Sequence, residues 1–308
     1  MISIVILTYN RAAVLCDLIK SIYSIPYNPM EIIVVDNHSE DNTYQMVRDH
    51  YPRCTYIRTE KNIGVGARNL GLKKASGEFV ICLDDDIFGI DFEAIQKIVN
   101  KFREDDNIGA INFKVINYYS GELCNWVHHC EQEKYSNRTF LTYEITEGAV
   151  AFRKDALKYT GYYPEYFFLS HEGLDLALRL MDNDYSVIYF GEVEVKHRYS
   201  ELGRKPWYNY YYDTRNHIWL AARNFPIYYM IPYLGRSLLS TLTYSIRDGF
   251  FKYWLKAVWD GLKELKHVAN ERTVLKKETM IKVKEIDSMR LPFIYMLKKR
   301  LLANSMKF

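Results

Sequence analysis

The chain has 308 residues, of which 48% are hydrophobic and 26% charged. That composition excludes a disordered chain and suits a large α/β domain with an appendage. The net charge of +3 hides an asymmetry: residues 1–197 hold 20 Lys and Arg against 29 Asp and Glu, and residues 198–308 hold 21 against 9.

Residues 2–7 (ISIVIL) form a continuous apolar run, the pattern of a fully buried strand. Thr8, Tyr9, Asn10 and Arg11 follow. Val14, Leu15, Leu18, Ile19 and Ile22 then recur at helical spacing and predict a helix over 12–25, which Pro26 and Pro29 end. Residues 31–35 read as a second strand, closed by Asp36 and Asn37. A helix over 39–51, a short strand over 54–58, a glycine loop over 62–66 and a helix over 67–75 come next. Residues 79–83 (FVICL) read as a fourth strand. This β-α-β-α-β-α-β order implies a parallel sheet with helices on both faces, and ligands bind at the carboxyl ends of such strands. Asn10-Arg11, Asp36-Asn37 and Asp84-Asp85-Asp86 all fall at that end.

The fourth strand closes on three consecutive carboxylates. They repel one another unless a cation sits among them. Hard divalent cations take oxygen ligands and bridge carboxylates to substrate phosphates. A solvated acidic turn is the plain alternative.

Beyond residue 91 the pattern changes. It predicts a helix over 92–103, a strand over 108–118, and a polar, aromatic segment over 119–142. A strand over 146–152 is approached through Glu147-Gly148-Ala149. A turn at 161–164, a helix over 171–182 and a strand over 185–190 follow. From residue 206 the chain is helical and basic. Phe251, Trp254, Leu255, Val258, Leu262 and Leu265 share one helical stripe, with Lys252, Lys256, Lys263 and Lys266 off it. This is either an interfacial helix on an anionic membrane surface or a helix packed on the domain with its lysines in water. No uncharged apolar run reaches the roughly 18 residues of a membrane span, and the N-terminal apolar run lacks a basic leader. The 5 cysteines follow no disulfide framework. The expected location is therefore cytoplasmic, with the tail at the inner face of the cell membrane. Aromatic residues make up 15% of the chain, which suits a large core, sugar stacking or a membrane interface.

Four motifs occur in order: Tyr-Asn-Arg after the first strand, Val-Asp-Asn-His-Ser after the second, Asn-Ile-Gly-Val-Gly-Ala-Arg-Asn-Leu-Gly before the fourth, and Leu-Asp-Asp-Asp at its end. Their order and spacing resemble the family-2 glycosyltransferases of the GT-A fold, from Ile2 to about residue 197. The resemblance implies an α/β fold: a Rossmann-like, nucleotide-binding mixed sheet flanked by helices, with a basic helical C-terminal extension. The catalytic domain would be 1–205, divided into a nucleotide-binding half (1–90) and an acceptor-side half (91–205), and the extension 206–308. The implied activity is inverting and metal-dependent. It moves a sugar from a nucleotide-sugar donor, a UDP-sugar foremost, to a saccharide or lipid-linked saccharide acceptor in cell-surface glycan synthesis.

The resemblance also assigns roles. Asp36 would accept a hydrogen bond from the imide N–H of the base, leaving Ser39 to cap the next helix; a helix cap is the alternative for Asp36 itself. Thr8, Tyr9 and Asn10, with Asn37 and Asn62, would hold the nucleoside, and Arg11 binds there or is structural. Gly64 and Gly66 would let the backbone approach the nucleotide. Arg68 would pair with the nucleotide or with an aspartate of the cluster, or lie solvated on its helix. Asp84 and Asp85 would sit near the donor, and Gly148 would line its sugar. Asp84, Asp86 and His197 would hold Mn²⁺ or Mg²⁺, with imidazole favouring Mn²⁺; a surface histidine is the alternative for His197. Glu172 would be the general base, or merely a favourable charge at a helix N-terminus. His171 is a further candidate, and Asp175 would orient the site through Arg179. Gly173 stands where the family usually carries a second acid. That departure motivates the alternative of a non-catalytic sugar-nucleotide-binding subunit. A nucleotidyltransferase is disfavoured because 8–13 lacks glycine. Nucleic acid is not an expected partner, since no module for it is present. Cys124, His128, His129 and Cys130 match no standard zinc spacing, so Trp126, His128 and Tyr135 are assigned to a variable acceptor loop.

Overall fold

The computed structural model describes residues 1–199 and 205–302. The first half alternates strand and helix: β1 (Ile2–Thr8), α1 (Ala12–Tyr23), β2 (Met30–Asp36), α2 (Thr43–His50), β3 (Thr55–Arg58), α3 (Arg68–Lys74) and β4 (Phe79–Asp84). Then come β5 (Ile87–Phe88), α4 (Phe92–Glu104), β6 (Ile108–Asn117), α5 (Gln132–Tyr135), β7 (Thr139–Leu141), β8 (Ala149–Arg153), α6 (Lys154–Thr160), α7 (Glu172–Asp182) and β9 (Ser186–His197). Six helices follow: α8 (Tyr208–Asn224), α9 (Ile227–Arg247), α10 (Phe251–Lys263), α11 (Leu265–Asn270), α12 (Lys277–Asp287) and α13 (Phe293–Leu302).

The strands form one sheet in the order β3-β2-β1-β4-β8-β6-β9-β5, with β7 also on β9. As the sequence predicts, β1 through β4 pair in parallel. The sheet then turns mixed, because β8 runs antiparallel to both β4 and β6. The continuous apolar runs have a direct cause. Val5, Ile33, Val35, Val80 and Cys82 enter one core layer, and Ile4, Ile6, Val34, Ile81 and Leu83 enter the other. Strands covered on both faces have no polar side to alternate with.

Several boundaries differ from the expectation. Helix α2 begins at Thr43, and Ser39 does not cap it; the Ser39 hydroxyl accepts the Asn10 N–H at 2.9 Å. Asp41 instead receives the N–H groups of Thr43 (3.1 Å) and Ala12 (3.0 Å), tying two helix starts together. Strand β9 continues to His197, since Val193, Val195 and His197 point inward while Glu192, Glu194 and Lys196 face water. That alternation is the period of a half-buried strand. Within 119–142, Trp126, His128 and Phe140 pack with Tyr189 of β9 in an aromatic cluster with centroids 4.8 to 6.1 Å apart. Packing therefore explains Trp126 and His128 without an acceptor.

The C-terminal helices share the sheet's core: Ile218, Trp219, Leu220, Phe225, Met280, Val283 and Ile286 are buried in the same layer as Val5 and Val80. Helix α10 packs through its small residues. A Cβ on Gly261 would meet Ile218 at 2.8 Å, and the Trp219 indole donates to the Gly261 carbonyl at 3.1 Å. The expected stripe is consequently split. Trp254 turns inward and donates to Thr241 Oγ1, while Phe251, Leu255, Trp259 and Leu262 are exposed. Among the described residues no helix is long and apolar enough to cross a membrane.

Candidate active site

The carboxyl ends of β1, β2 and β4 bring the first polar groups together. Asp85 is buried, accepts the Thr8 hydroxyl at 2.7 Å and faces Arg11 Nη1 at 3.0 Å. Burial pushes its carboxyl up to about 7, against the opposing charge of Arg11. The same Arg11 nitrogen lies 2.7 Å from Asp86 Oδ2. Arg11 thus clamps the two inner aspartates, the structural option for that residue. Tyr9 is 37% exposed on the same rim. Asn10 adopts a left-handed backbone and receives the Glu40 N–H on its side chain at 2.7 Å.

Asp86 meets His197 by topology. Ile87 is the β-partner of His197 in the β5–β9 ladder, so the preceding residue lies beside the imidazole. Nε2 of His197 is 3.4 Å from Asp86 Oδ2, and the Asn125 side-chain amide lies 3.0 Å from Nδ1, fixing the ring. The expected trio is not assembled. Asp84 is engaged by Arg68 Nη2, and among the described residues no group of three His, Cys, Asp or Glu side chains converges as a metal site. A carboxylate and an imidazole still fit a cation that takes its other ligands from a diphosphate and water, as small hard cations commonly do.

Asp36 is fully buried. Its Oδ1 accepts the Ser39 N–H at 2.8 Å, and its Oδ2 accepts the Tyr56 hydroxyl. It caps no helix and holds the turn after β2. Asn37 spans the next gap: its amide donates to Asn62 Oδ1 (2.9 Å) and to the Gly64 carbonyl (3.0 Å), and its Oδ1 accepts the Ile63 N–H (3.0 Å). Gly64, at φ +71°, would place a Cβ 1.9 Å from the Phe168 carbonyl oxygen, and Gly66 would meet Glu165 Cα at 2.9 Å. These glycines serve the packing of 64–67 on the 165–168 segment, not only an approach to a ligand. Gly148, at φ +74°, would place a Cβ 2.4 Å from Asp84 Cγ, so its bare backbone admits the Asp84 side chain.

Arg68 is 1% exposed, which removes the solvated option. Burial alone would lower its pKa, but Asp84 and Glu147 hold it well above the usual value. Glu147 lies 3.5 Å from Arg68 Nη1. Its stem is partly exposed, yet both carboxylate oxygens are covered and lack a hydrogen-bond partner. Burial, then the nearby charge of Glu172, pushes this carboxyl well above the ordinary range.

Glu172 opens α7 and is 1% exposed, with Oε2 unpartnered. Burial raises its carboxyl to about 7. The segment before it is strained: Phe168, Ser170 and His171 all have positive φ, at 66°, 73° and 64°. Helix α8 holds this segment down. The Asn216 amide donates to the carbonyls of Phe167 (3.1 Å), Leu169 (2.7 Å) and Ser170 (2.7 Å), and Arg215 Nη2 donates to Phe167 at 2.6 Å. His171 packs on His217 with centroids 4.1 Å apart, and burial lowers its pKa, which keeps it neutral. Asp175 is fully buried; it accepts from Arg179 Nε (2.7 Å) and Asn224 (2.7 Å), and it forms an ion pair with Arg223, whose Nε lies 3.0 Å from Oδ1. It therefore anchors α7 to α8 as well as to Arg179. Cys124, His128, His129 and Cys130 form no metal cluster; His129 instead meets Glu144 Oε1 at 2.7 Å and Arg290 Nη2 at 2.8 Å.

Sequence reasoning missed Glu147, Asn125, Arg215 and Asn216. Only Glu147 carried a signal, an acid directly before a glycine at a strand's entry.

The model of glycosyl transferase family 2 matches residues 3–161. An uncharacterized glycosyltransferase, YwdF of Bacillus subtilis (strain 168), is 46% identical over 90 residues, covering 28% of this chain and 33% of that protein. The poly-beta-1,6-N-acetyl-D-glucosamine synthase of Staphylococcus epidermidis is 33% identical over 113 residues, covering 36% of this chain and 27% of the synthase. These matches span a third or less of either relative. Among solved structures, S. aureus TarS 1-349 in complex with UDP-GlcNAc superposes with a TM-score of 0.61 at 18% identity, covering 94% of this chain and 89% of that one. GalNAc-T7 with UDP, GalNAc and Mn²⁺ gives 0.64 at 16% identity, covering 86% of this chain and 57% of that one. Both likenesses concern the fold. Since the family match takes in just over half of the sequence and the mixed sheet has GT-A topology, the chain belongs to glycosyl transferase family 2 and has the GT-A fold.

Proposed function

We propose that this chain is an inverting, metal-dependent glycosyltransferase, and that it moves a sugar from a UDP-sugar to a saccharide or lipid-linked saccharide acceptor in cell-surface glycan synthesis. The observation that carries the reading is the meeting of Asp86 and His197 at 3.4 Å on the rim where β1, β2 and β4 end. The donor lies along that rim, over Thr8–Arg11, Asp36–Asn37 and Asn62–Gly64, with its sugar between Asp84, Asp85 and Gly148. When bound by Asp86 and His197, Mn²⁺ or Mg²⁺ would neutralise the leaving diphosphate as a Lewis acid. Glu172, poised near neutrality, takes the proton of the acceptor hydroxyl as its oxygen attacks the anomeric carbon. Asp175 and Arg179 hold the helix that carries it. Arg68 joins the two sides of the site through Asp84 and Glu147.

UDP-GlcNAc in TarS and UDP with Mn²⁺ in GalNAc-T7 support this donor class. The basic C-terminal part, with Leu255 and Trp259 exposed beside Lys252, Lys256 and Lys263, fits peripheral contact with an anionic inner membrane face. A thermal-shift screen of UDP-sugars and GDP-mannose, with and without Mn²⁺, tests the proposal. At a hundredfold excess over Kd, bound donor adds about 2.7 kcal/mol, a rise of about 4 °C for a chain of this size. The rise should require Mn²⁺. If no nucleotide sugar raises the melting temperature in its presence, the proposal fails.

A further inference from the structure

Gly173 is an unexpected residue inside the first turn of α7, where glycine costs about 1 kcal/mol against alanine. The structure supplies a reason. A Cβ at this position would lie 2.0 Å from Glu147 Oε1 and 3.2 Å from its Cδ. The glycine therefore leaves a gap, and the carboxyl group of Glu147 fills it from the entry of β8. That placement brings Glu147 to the residue following Glu172.

The result is costly in isolation. Both oxygens of Glu147 and Oε2 of Glu172 are covered and have no hydrogen-bond partner. Arg68, shared with Asp84, is the cation facing the group, and the buried Tyr163 hydroxyl stands near Glu147 without forming a hydrogen bond of good geometry. Buried acceptors without donors are destabilising by about 1–3 kcal/mol each. Two carboxyl groups in this state suit a ligand that brings donors with it, and a sugar hydroxyl is such a ligand. A mere counterion of Arg68 would not need to enter α7: the 3.5 Å contact is not a hydrogen bond, and Arg68 Nη1 itself lacks a hydrogen-bond partner.

We propose that Glu147 is a second acid of the acceptor site, entering through the gap at Gly173 to hold the attacking hydroxyl together with Glu172. This rests on the glycosyl-transfer reading above. In the step itself the hydroxyl proton passes to Glu172, the hydroxyl oxygen bonds to the anomeric carbon, and the bond from that carbon to the diphosphate oxygen breaks. Glu147 contacts the same hydroxyl and fixes its direction of attack.

The test times nucleoside diphosphate release by the whole chain with Mn²⁺ and a panel of UDP- and GDP-sugars, water or added saccharide being the acceptor. Glu147→Gln keeps the shape and removes the acid; it should lower kcat about 100-fold while donor affinity, measured by calorimetry, stays within about twofold. Glu147→Asp should recover part of that loss. Gly173→Ala, whose Cβ would meet both Glu147 Oε1 at 2.0 Å and Ile145 Cβ at 2.9 Å, displaces the Glu147 carboxyl and should lower kcat in the native chain; in the Glu147→Ala background, where only the Ile145 contact remains, its further effect on kcat should be smaller. Wild-type kcat in Glu147→Gln overturns the proposal, and so does an equal loss of donor affinity, which would make Glu147 a counterion of Arg68. A native chain that releases no nucleoside diphosphate from any donor refutes the transfer reading itself, a separate outcome.

Discussion

Replacing Asn216 by alanine should separate the two jobs of the C-terminal helices. Asn216 is fully buried on α8, and its amide donates to three carbonyls of the segment that carries Glu172. Phe167 keeps the Arg215 donor, whereas the carbonyls of Leu169 and Ser170 each lose one, and Arg215 Nε loses Asn216 Oδ1, its acceptor at 3.0 Å. Three lost hydrogen bonds of about 1–1.5 kcal/mol each give a destabilisation of about 3–4.5 kcal/mol, or roughly 5–7 °C in Tm for a chain of this size. The segment contains three non-glycine residues at positive φ, each costing on the order of 1–2 kcal/mol. The lost bonds are thus comparable with the strain they oppose, and the segment should relax. Glu172 then leaves its seat, and kcat should fall at least about tenfold, beyond what the folded fraction explains. The assay pairs thermal unfolding with nucleoside diphosphate release at a temperature where both proteins are folded. An Asn216→Ala chain with lowered Tm but native kcat would refute the reasoning, because α8 would then stabilise the fold without positioning the site.

Three further outcomes are expected. Asp175→Asn leaves Arg179 and Arg223 facing a neutral group in a buried setting; chemical denaturation should show a loss of about 3–5 kcal/mol. With Glu172 raised to about 7 from an ordinary value of 4.5, kcat should rise with pH through about 7. The folded chain then holds a proton that the unfolded chain has released. The stability this contributes is complete below about 4.5 and is lost as pH rises through about 7, and Glu172→Gln should reduce that slope by one group's share in a pH series of melting curves, leaving the share of the similarly raised Asp85. Leu255→Glu with Trp259→Glu alters two exposed apolar side chains of α10; sedimentation with anionic vesicles should show about a 100-fold weaker association, and undiminished binding would remove α10 from the contact.

The first four strands and their polar ends were legible because a parallel sheet covered on both faces leaves a continuous apolar signature, as in 2–7 and 79–83. Helix starts were less so. Asp41 serves α1 and α2 at once, a contact between elements that no local pattern encodes. His197 was found by its motif, although β9 reaches it only through the alternation of Val193 and Val195. Arg68 was readable as a residue of the site but not as a buried one. The acids on the acceptor side were half legible. Glu172 stood in a motif, but the occupant of the gap at Gly173 comes from a residue 26 positions earlier, and only packing brings Glu147 there. Asn216 and Asn224 carried no sequence signal, since their partners, the 167–170 carbonyls and Asp175, lie on another element.

The most direct test of the account compares the native chain with Glu172→Gln, measuring donor binding by calorimetry and nucleoside diphosphate release in the same Mn²⁺-containing buffer. The account predicts native-like, Mn²⁺-dependent binding in both and a loss of release of about 100-fold or more in Glu172→Gln. Equal release from the two proteins would contradict it.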